Sequence, residues 1–327
     1  MAPRVVCLGE ALIDRIFERC DGQAPQAPFW TDHPGGAPAN VAAGLTKLGT
    51  PTALLTCLGH DPQGHQVEAV LQAVGVDLRG LQWTDTHPTR VVLVHRDGEG
   101  ERTFVGFSLP DPSAFADAHL DAAQLDFAGF ESVQYLVMGT LGLAYAAMGQ
   151  SMHTALAWAR QNRVTTVVDL NWRPVFWPQP DQALPIMQAF VAGVDILKLN
   201  RGEANRLFQT AEAATIRDRI SAQLVLLTDG SNGCHYATAT HCGHVPAYGV
   251  DCEDSTGAGD SFLAGFLHQL DGQGLALLDH EDTLREAVQY ANAAGALTAT
   301  QPGAMEAQPD RRAIEAFLYL HNQLMTP

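Results

Sequence analysis

Positive charge is scarce in this chain, and lysine scarcer still. Lys and Arg together number 19 against 36 Asp and Glu, giving a formal net charge of -17, and the lysines are Lys47 and Lys198 alone. No basic stripe is available to neutralise a phosphate backbone, which argues against a nucleic-acid binder. The six cysteines, Cys7, Cys20, Cys57, Cys234, Cys242 and Cys252, make no CxxC pair and no zinc spacing. With no secretory leader either, a reduced, cytoplasmic setting is expected. The uncharged run from Ser132 to His153 is interrupted by Gly139, Gly142 and Gly149. It reads as a strand followed by a helix, so no membrane partner is expected. No GxxxxGK[ST] sequence occurs, which disfavours a P-loop nucleotide site. These absences leave a metabolic enzyme, and 327 residues suffice to bury a sizeable core.

What the chain does have is an alternation of strand and helix patterns. Val5 to Gly9 reads as a buried strand, with Glu10 and Asp14 carried off its end in GEALID. His33 to Gly49 places Gly35 and Gly36 in a flexible loop, Pro38 in a first helical turn and Gly49 at the helix end. Thr52 to Gly59 reads as a strand and Pro62 to Val74 as a helix stopped by Gly75. Arg90 to Phe107 then breaks the alternation as a two-stranded ribbon turning at Asp97-Gly98-Glu99-Gly100. Beyond it the alternation resumes with VQYLVMG, a helical run to Arg163, the strand VTTVVDLN, the strand DILKLN and the strand LVLLTDG. Such a pattern predicts an α/β fold with a largely parallel sheet. Leu284 to Thr298 and Arg311 to Gln323 read as the closing helices.

Chemistry concentrates in VDCEDSTGAGDSFLAGFLHQL, Val250 to Leu270. The apolar spacing of Phe262, Leu263, Phe266, Leu267 and Leu270 draws one helical face, and the order reads as strand, tight loop, helix. Gly257 and Gly259 permit a sharp turn and close approach, and the helix start behind them presents unpaired N–H groups to an anion. Asp260 adds a carboxylate able to take a hydroxyl proton, although Asp is also a favoured helix cap. At the carboxyl end of the VTTVVDLN strand stand Asp169, Asn171 and Arg173, where open α/β sheets bind ligands.

DSTGAGDSFLAGF resembles the C-terminal signature of the ribokinase-like carbohydrate kinases, the pfkB family, and GGAPANVA resembles its N-terminal signature in the form associated with fructokinases. The resemblance implies a ribokinase-like three-layer α/β/α core with a central, mostly parallel sheet. It also implies one domain over residues 1–327, with a small β-sheet lid from about 12–32 and 88–108 that closes over the sugar and is often a dimer contact. The implied reaction is transfer of the γ-phosphoryl of Mg-ATP to a primary hydroxyl, D-fructose being the first expectation. Ribose, 2-keto-3-deoxygluconate or a nucleoside such as adenosine is the alternative acceptor, and a non-catalytic sugar-binding scaffold is the rival from another class. Asp260 is implied as general base, and the amides of Gly257, Ala258, Gly259 and Asp260 as the anion hole. Asp14, Gly35, Gly36, Asn40, Arg102, Asp169 and Arg173 are the sugar candidates. Lys198, Asn200, Glu203, Thr228, Gly230, Gly233 and Asn292 are the nucleotide candidates. Asn200 and Glu203 match the family's N-x-x-E motif, with Glu203 meeting Mg2+ through water, and Asp254 and Thr256 fit a monovalent-cation site, K+ in many members. A phosphosugar acceptor is disfavoured, since only Arg90, Arg102 and Arg173 could converge on one.

Overall fold

The computed structural model describes residues 1–18, 30–96 and 102–325. In chain order its regular elements begin with β1 (Val5–Leu8), β2 (Leu12–Glu18), β3 (Trp30–Gly35), α1 (Ala37–Leu48), β4 (Thr52–Gly59), α2 (Pro62–Val74), β5 (Leu81–Thr84), β6 (Val91–Arg96) and β7 (Arg102–Phe107). They continue with β8 (Tyr135–Met138), α3 (Ala146–Asn162), β9 (Thr165–Asp169), α4 (Pro180–Val191), β10 (Ile196–Asn200), α5 (Arg201–Phe208), α6 (Ala213–Ile220), β11 (Leu224–Thr228), β12 (Cys234–Ala237) and β13 (Cys242–Val245). Three helices close the chain: α7 (Ala258–Gln273), α8 (Glu281–Thr298) and α9 (Arg311–Met325).

Nine strands form the large sheet in the order β13-β12-β11-β10-β9-β8-β1-β4-β5. Every pairing from β5 to β11 is parallel, and only β12 and β13 run antiparallel at one edge. Burial on both faces explains the near-continuous apolar strands, whose alternate residues enter two separate cores. Val6, Leu8, Leu55, Leu136 and Val168 pack with Met152, Leu156, Met187 and Ile216 of α3, α4 and α6. Val5, Cys7, Leu54, Val137 and Val167 pack instead with Leu45, Leu71, Phe266 and Val288 of α1, α2, α7 and α8. This is the three-layer α/β/α arrangement that the resemblance implies, and each fully buried Val, Leu, Ile, Met or Phe side chain contributes about 1.5–3 kcal/mol relative to exposure. Left-handed backbone at Gly49 and Gly75, φ 98° and 96°, ends α1 and α2 as the sequence leads one to expect.

A separate four-stranded sheet has the order β3-β2-β6-β7, with β2 and β6 parallel and its other pairs antiparallel. The expected ribbon is therefore present as β6 and β7. Its expected turn at 97–100 lies outside the described residues, and so does the Arg102 side chain.

The strand expected before α7 does not form. Residues 250–256 are irregular because their backbone bonds to a helix end rather than to the sheet: the N–H groups of Glu253 and Asp254 both donate to the Ala299 carbonyl, at 2.8 and 3.1 Å.

Candidate active site

Helix α7 begins without a side-chain cap. Gly257 occupies the cap position at φ 74°, and a Cβ there would lie 3.0 Å from both Cα and Cβ of Ala304. The Ala258 N–H turns back to the Ser255 carbonyl at 3.2 Å, and the Gly257 carbonyl accepts its bond from Ser261. The amides of Gly259 and Asp260 thus precede Ser261 at the positive end of the helix, where an anion is stabilised. Of the four residues expected to form an anion hole, Ala258 has its N–H engaged within the loop.

Asp260 stands in this first turn, half-buried. Its Oδ2 accepts a 2.8 Å hydrogen bond from Nδ2 of Asn40, which α1 brings across from the other signature. Withdrawal from water pushes its pKa up to about 6, and the neighbouring Asp169 adds to that rise, while Lys198, the Asn40 amide and Arg173 oppose it. A carboxyl so poised is still a carboxylate at neutral pH yet basic enough to take a proton.

Lys198, on β10, is the cation at the centre. Its Nζ donates to Oδ2 of Asp169, at the end of β9, at 2.7 Å, with both side chains buried. A Cβ on Gly259 would come within 3.0 Å of the same Nζ, so the ammonium lies against the start of α7. Burial alone would lower the Lys198 pKa, but Asp169, Asp260 and Glu203 together outweigh it and hold the group charged. Oδ1 of Asp169 is buried with no hydrogen-bond partner among the described residues.

Asn200 and Glu203 are brought beside this cluster as a closed capping box. The Asn200 side chain accepts the Glu203 N–H at 2.9 Å, while Oε2 and Oε1 of Glu203 accept the N–H groups of Asn200 and Trp172, each at 2.8 Å. Burial raises the Glu203 pKa, joined by Asp169, against Lys198 and the two amides. Arg173 reaches within 3.9 Å of Oε1 of Glu203 and is largely exposed. Trp172 carries Arg206 over its ring at 4.4 Å, and Trp177 is buried, so both tryptophans serve packing.

Strands β2 and β3 present Asp14 and Gly35. A Cβ on Gly35 would lie 3.0 Å from Oδ2 of Asp14, which explains the glycine. Gly36, at φ 102°, is wedged against the Glu10 carbonyl, 2.5 Å from where its Cβ would stand. Arg90 does not join them. It is fully buried, bonded through Nε and Nη2 to Asp117 at 2.7 and 2.8 Å, and its guanidinium carbon lies 4.7–5.3 Å from the rings of Phe107, Phe115, Tyr145 and Phe176. The convergence of arginines considered from sequence therefore fails at this position, because Asp117 and the aromatic rings hold the cation inside the core.

Thr228 ends β11 beside Asn200, its register partner on β10. Gly230, at φ 54°, opens a tight turn and has open space where a Cβ would be, whereas Gly233, at φ 93°, is pressed on the Val245 carbonyl. Asn292 gives its side-chain amide to the carbonyls of Val245 and Pro246, at 3.1 and 3.0 Å, and so fixes the wall leading from that turn. Asp254 is buried and braces the loop before Gly257, taking the N–H groups of Thr256 and Gly303 at 3.0 Å each.

Two residues outside the expected site hold the parts together. Lys47, near the end of α1, donates to the carbonyls of Met305, Glu306 and Gln308 at 2.6, 3.2 and 3.0 Å. Gln308 in turn donates to the Asn40 carbonyl at 2.9 Å. Residues 303–308 thus strap α1 to the loop that carries Gly257.

Two signatures more than 200 residues apart meet at one hydrogen bond between Asn40 and Asp260. A model of the pfkB family carbohydrate kinases matches residues 2–311. The chain belongs to that family. Among curated proteins, a probable fructokinase-6, chloroplastic, of Arabidopsis thaliana is 33% identical over 97% of this chain and 83% of its own length. Among solved structures, the fructokinase of Xylella fastidiosa with bound ATP has a TM-score of 0.87 at 27% identity, covering 98% of this chain and all of that one. A double mutant of the fructokinase of Vibrio cholerae O395, in a form with fructose, ADP and potassium ion bound, has a TM-score of 0.83 at 29% identity, covering 97% of this chain and 98% of that one. As a pfkB family member the chain is a sugar phosphotransferase.

Proposed function

We propose that the chain transfers the γ-phosphoryl of Mg-ATP to a primary hydroxyl of D-fructose, giving fructose 6-phosphate. The observation that carries this reading is the placement of the Asp260 carboxylate, held by Asn40, at the uncapped start of α7 with the Lys198 ammonium alongside. The fructokinase names of the relatives and the fructose and ADP in the Vibrio structure support the acceptor and the donor.

In this reading Asp260 accepts the hydroxyl proton as the oxygen attacks phosphorus. The amides of Gly259 and Asp260, in the turn shaped by Gly257 and Ala258, meet the charge that gathers on the phosphoryl oxygens. Asp14, Gly35, Gly36 and Asn40, with Arg102, Asp169 and Arg173 as further candidates, orient the sugar, and positioning supplies much of the rate. Lys198, Asn200, Thr228, Gly230, Gly233 and Asn292 line the nucleotide side. Magnesium, when bound, would supply neutralisation of charge on the phosphates. Glu203 suits it as a water-mediated partner, because both of its oxygens already accept backbone N–H groups. Asp254 and Thr256 belong to the proposed monovalent-cation site, with K+ the candidate. The whole chain serves as one domain in which the small sheet, about 12–32 and 88–108, is the lid that keeps water from the phosphoryl group. The exposed Trp30, Phe104 and Val105 on that sheet favour a homodimer formed through it, and the working location is the cytoplasm.

The deciding experiment is ADP release from Mg-ATP with fructose, ribose, glucose, 2-keto-3-deoxygluconate and adenosine, with and without potassium. Turnover on fructose above the others is the expected result. A different preferred acceptor would replace the sugar and keep the chemistry, and inactivity with all five would favour a non-catalytic sugar-binding protein.

A further inference from the structure

Glu10 is a buried carboxyl group for which the chemistry above has no use. It lies in the link between β1 and β2 and is 5% exposed. Its Oε1 accepts the Ala37 N–H at 3.2 Å, and its Oε2 is buried with no hydrogen-bond partner among the described residues. Ala37 is the first residue of α1, and Gly36 before it has no side chain with which to cap that helix. Glu10 therefore supplies the cap from 27 residues away and, through its own carbonyl, presses on Gly36 from the other side. The carbonyl of Gly36 receives the Asn40 N–H at 2.8 Å, and the Asn40 side chain holds Asp260. A continuous line of contacts thus runs from Glu10 through the glycine turn and Asn40 to the proposed base.

We propose that Glu10 is a positioning residue for phosphoryl transfer, which by capping α1 sets the Gly35–Gly36 turn and, through Asn40, the orientation of Asp260. The inference rests on the kinase reading above. The charged and titratable groups that act on Glu10 are Asp117, Asp260, Arg90 and Tyr145. Arg90 is already bonded twice to Asp117, and its free Nη1 has no hydrogen-bond partner among the described residues, Glu10 included. Burial above all, with Asp117 and Asp260 adding to it and the backbone N–H groups of Glu10 and Ala37 opposing it, pushes the Glu10 pKa up to about 8. At neutral pH the group is an uncharged acid, which needs no counter-ion. As pH rises through that value a new negative charge appears beside Asp117 and Asp260, and Arg90, bonded twice to Asp117, makes no hydrogen bond to it. The cap then comes under strain, and activity falls.

The test is the pH dependence of kcat and kcat/KM for the acceptor in the intact chain and in Glu10→Gln and Glu10→Ala, with thermal unfolding to check each fold. The unaltered chain should show a falling limb near pH 8. Glu10→Gln keeps an acceptor for Ala37 but cannot ionise. It should lose less than about tenfold at pH 7 and show no falling limb, as expected when the titrating group is removed. Glu10→Ala removes the cap and should lower kcat by roughly 100-fold, with KM for ATP moving less than about threefold, the mark of a misplaced base rather than lost nucleotide binding. A falling limb that survives in Glu10→Gln, or full kcat in Glu10→Ala, overturns the proposal while leaving the kinase reading intact. Should Glu10→Ala not fold, the Glu10→Gln profile alone decides. An inert unaltered chain overturns the kinase reading and this inference together.

Discussion

Helices α5 and α7 both start near the Lys198 ammonium, yet their first turns are built in opposite ways. At α5, Asn200 and Glu203 close a capping box, and Glu203 gives its second oxygen to the Trp172 N–H. At α7 the cap is a glycine, and the one acid in the first turn, Asp260, takes its hydrogen bond from Asn40 on α1. A helix start that satisfies its own amides has little left for a ligand, whereas one left open keeps both its N–H groups and its dipole for an anion. The difference teaches which acid is available for chemistry. Glu203 is held by two backbone amides, while Asp260 at the uncapped start of α7 is the acid that the proposed reading uses as the base.

The largest effect should therefore come from the open start. Asp260→Asn keeps the shape and the contact with Asn40 but removes the proposed base, and general-base contributions imply a fall in kcat of roughly 10²–10⁴-fold with little change in unfolding temperature. Full activity in that variant would break the comparison at its root. The pH profile sharpens the same point. A base must be deprotonated to act, so with its pKa raised to about 6 the activity should rise with pH through that value, and the rise should vanish in the residual activity of Asp260→Asn. Next in size is Gly257→Ala. A Cβ at φ 74° meets Ala304 at 3.0 Å, and left-handed strain of about 1–2 kcal/mol should appear as a modest drop in unfolding temperature. The larger consequence is kinetic, since a displaced anion-binding amide costs on the order of 10²-fold in kcat. A variant that unfolds earlier but turns over normally would show that the turn is scaffold only.

Much of this contrast was legible in the sequence, for a physical reason. Helix periodicity, left-handed glycines and glycine-rich turns are local, so Gly49, Gly75 and the Gly257–Asp260 turn stand where their neighbours put them. The two signatures foretold which residues would gather, and the meeting of Asn40 with Asp260 across 220 positions agrees with them. What stayed hidden was non-local without a signature. Lys47 binds carbonyls about 260 positions on, Gln308 returns to Asn40 across 268, and Arg90 is drawn into the core by Asp117, 27 residues ahead of it. The 250–256 segment is irregular where a strand is expected, because the N–H groups of Glu253 and Asp254 bond to the Ala299 carbonyl at the end of α8, a partner about 45 positions away.

The smallest effect should come from the closed start. Asn200→Ala deletes the acceptor for the Glu203 N–H and opens the box, but Glu203 keeps its bonds from the amides of Asn200 and Trp172. Loss of such a cap costs about 0.5–2 kcal/mol of stability. Because Lys198, Asp169 and Asp260 keep their own partners, kcat should fall less than about tenfold, the scale of a remote misplacement rather than a lost catalytic group. KM for ATP should rise more than KM for the acceptor, since Asn200 lies beside Thr228 on the proposed nucleotide side. A loss as deep as that of Asp260→Asn would mean that the closed start, too, meets the phosphates directly, and the division of labour between the two helices would fall with it.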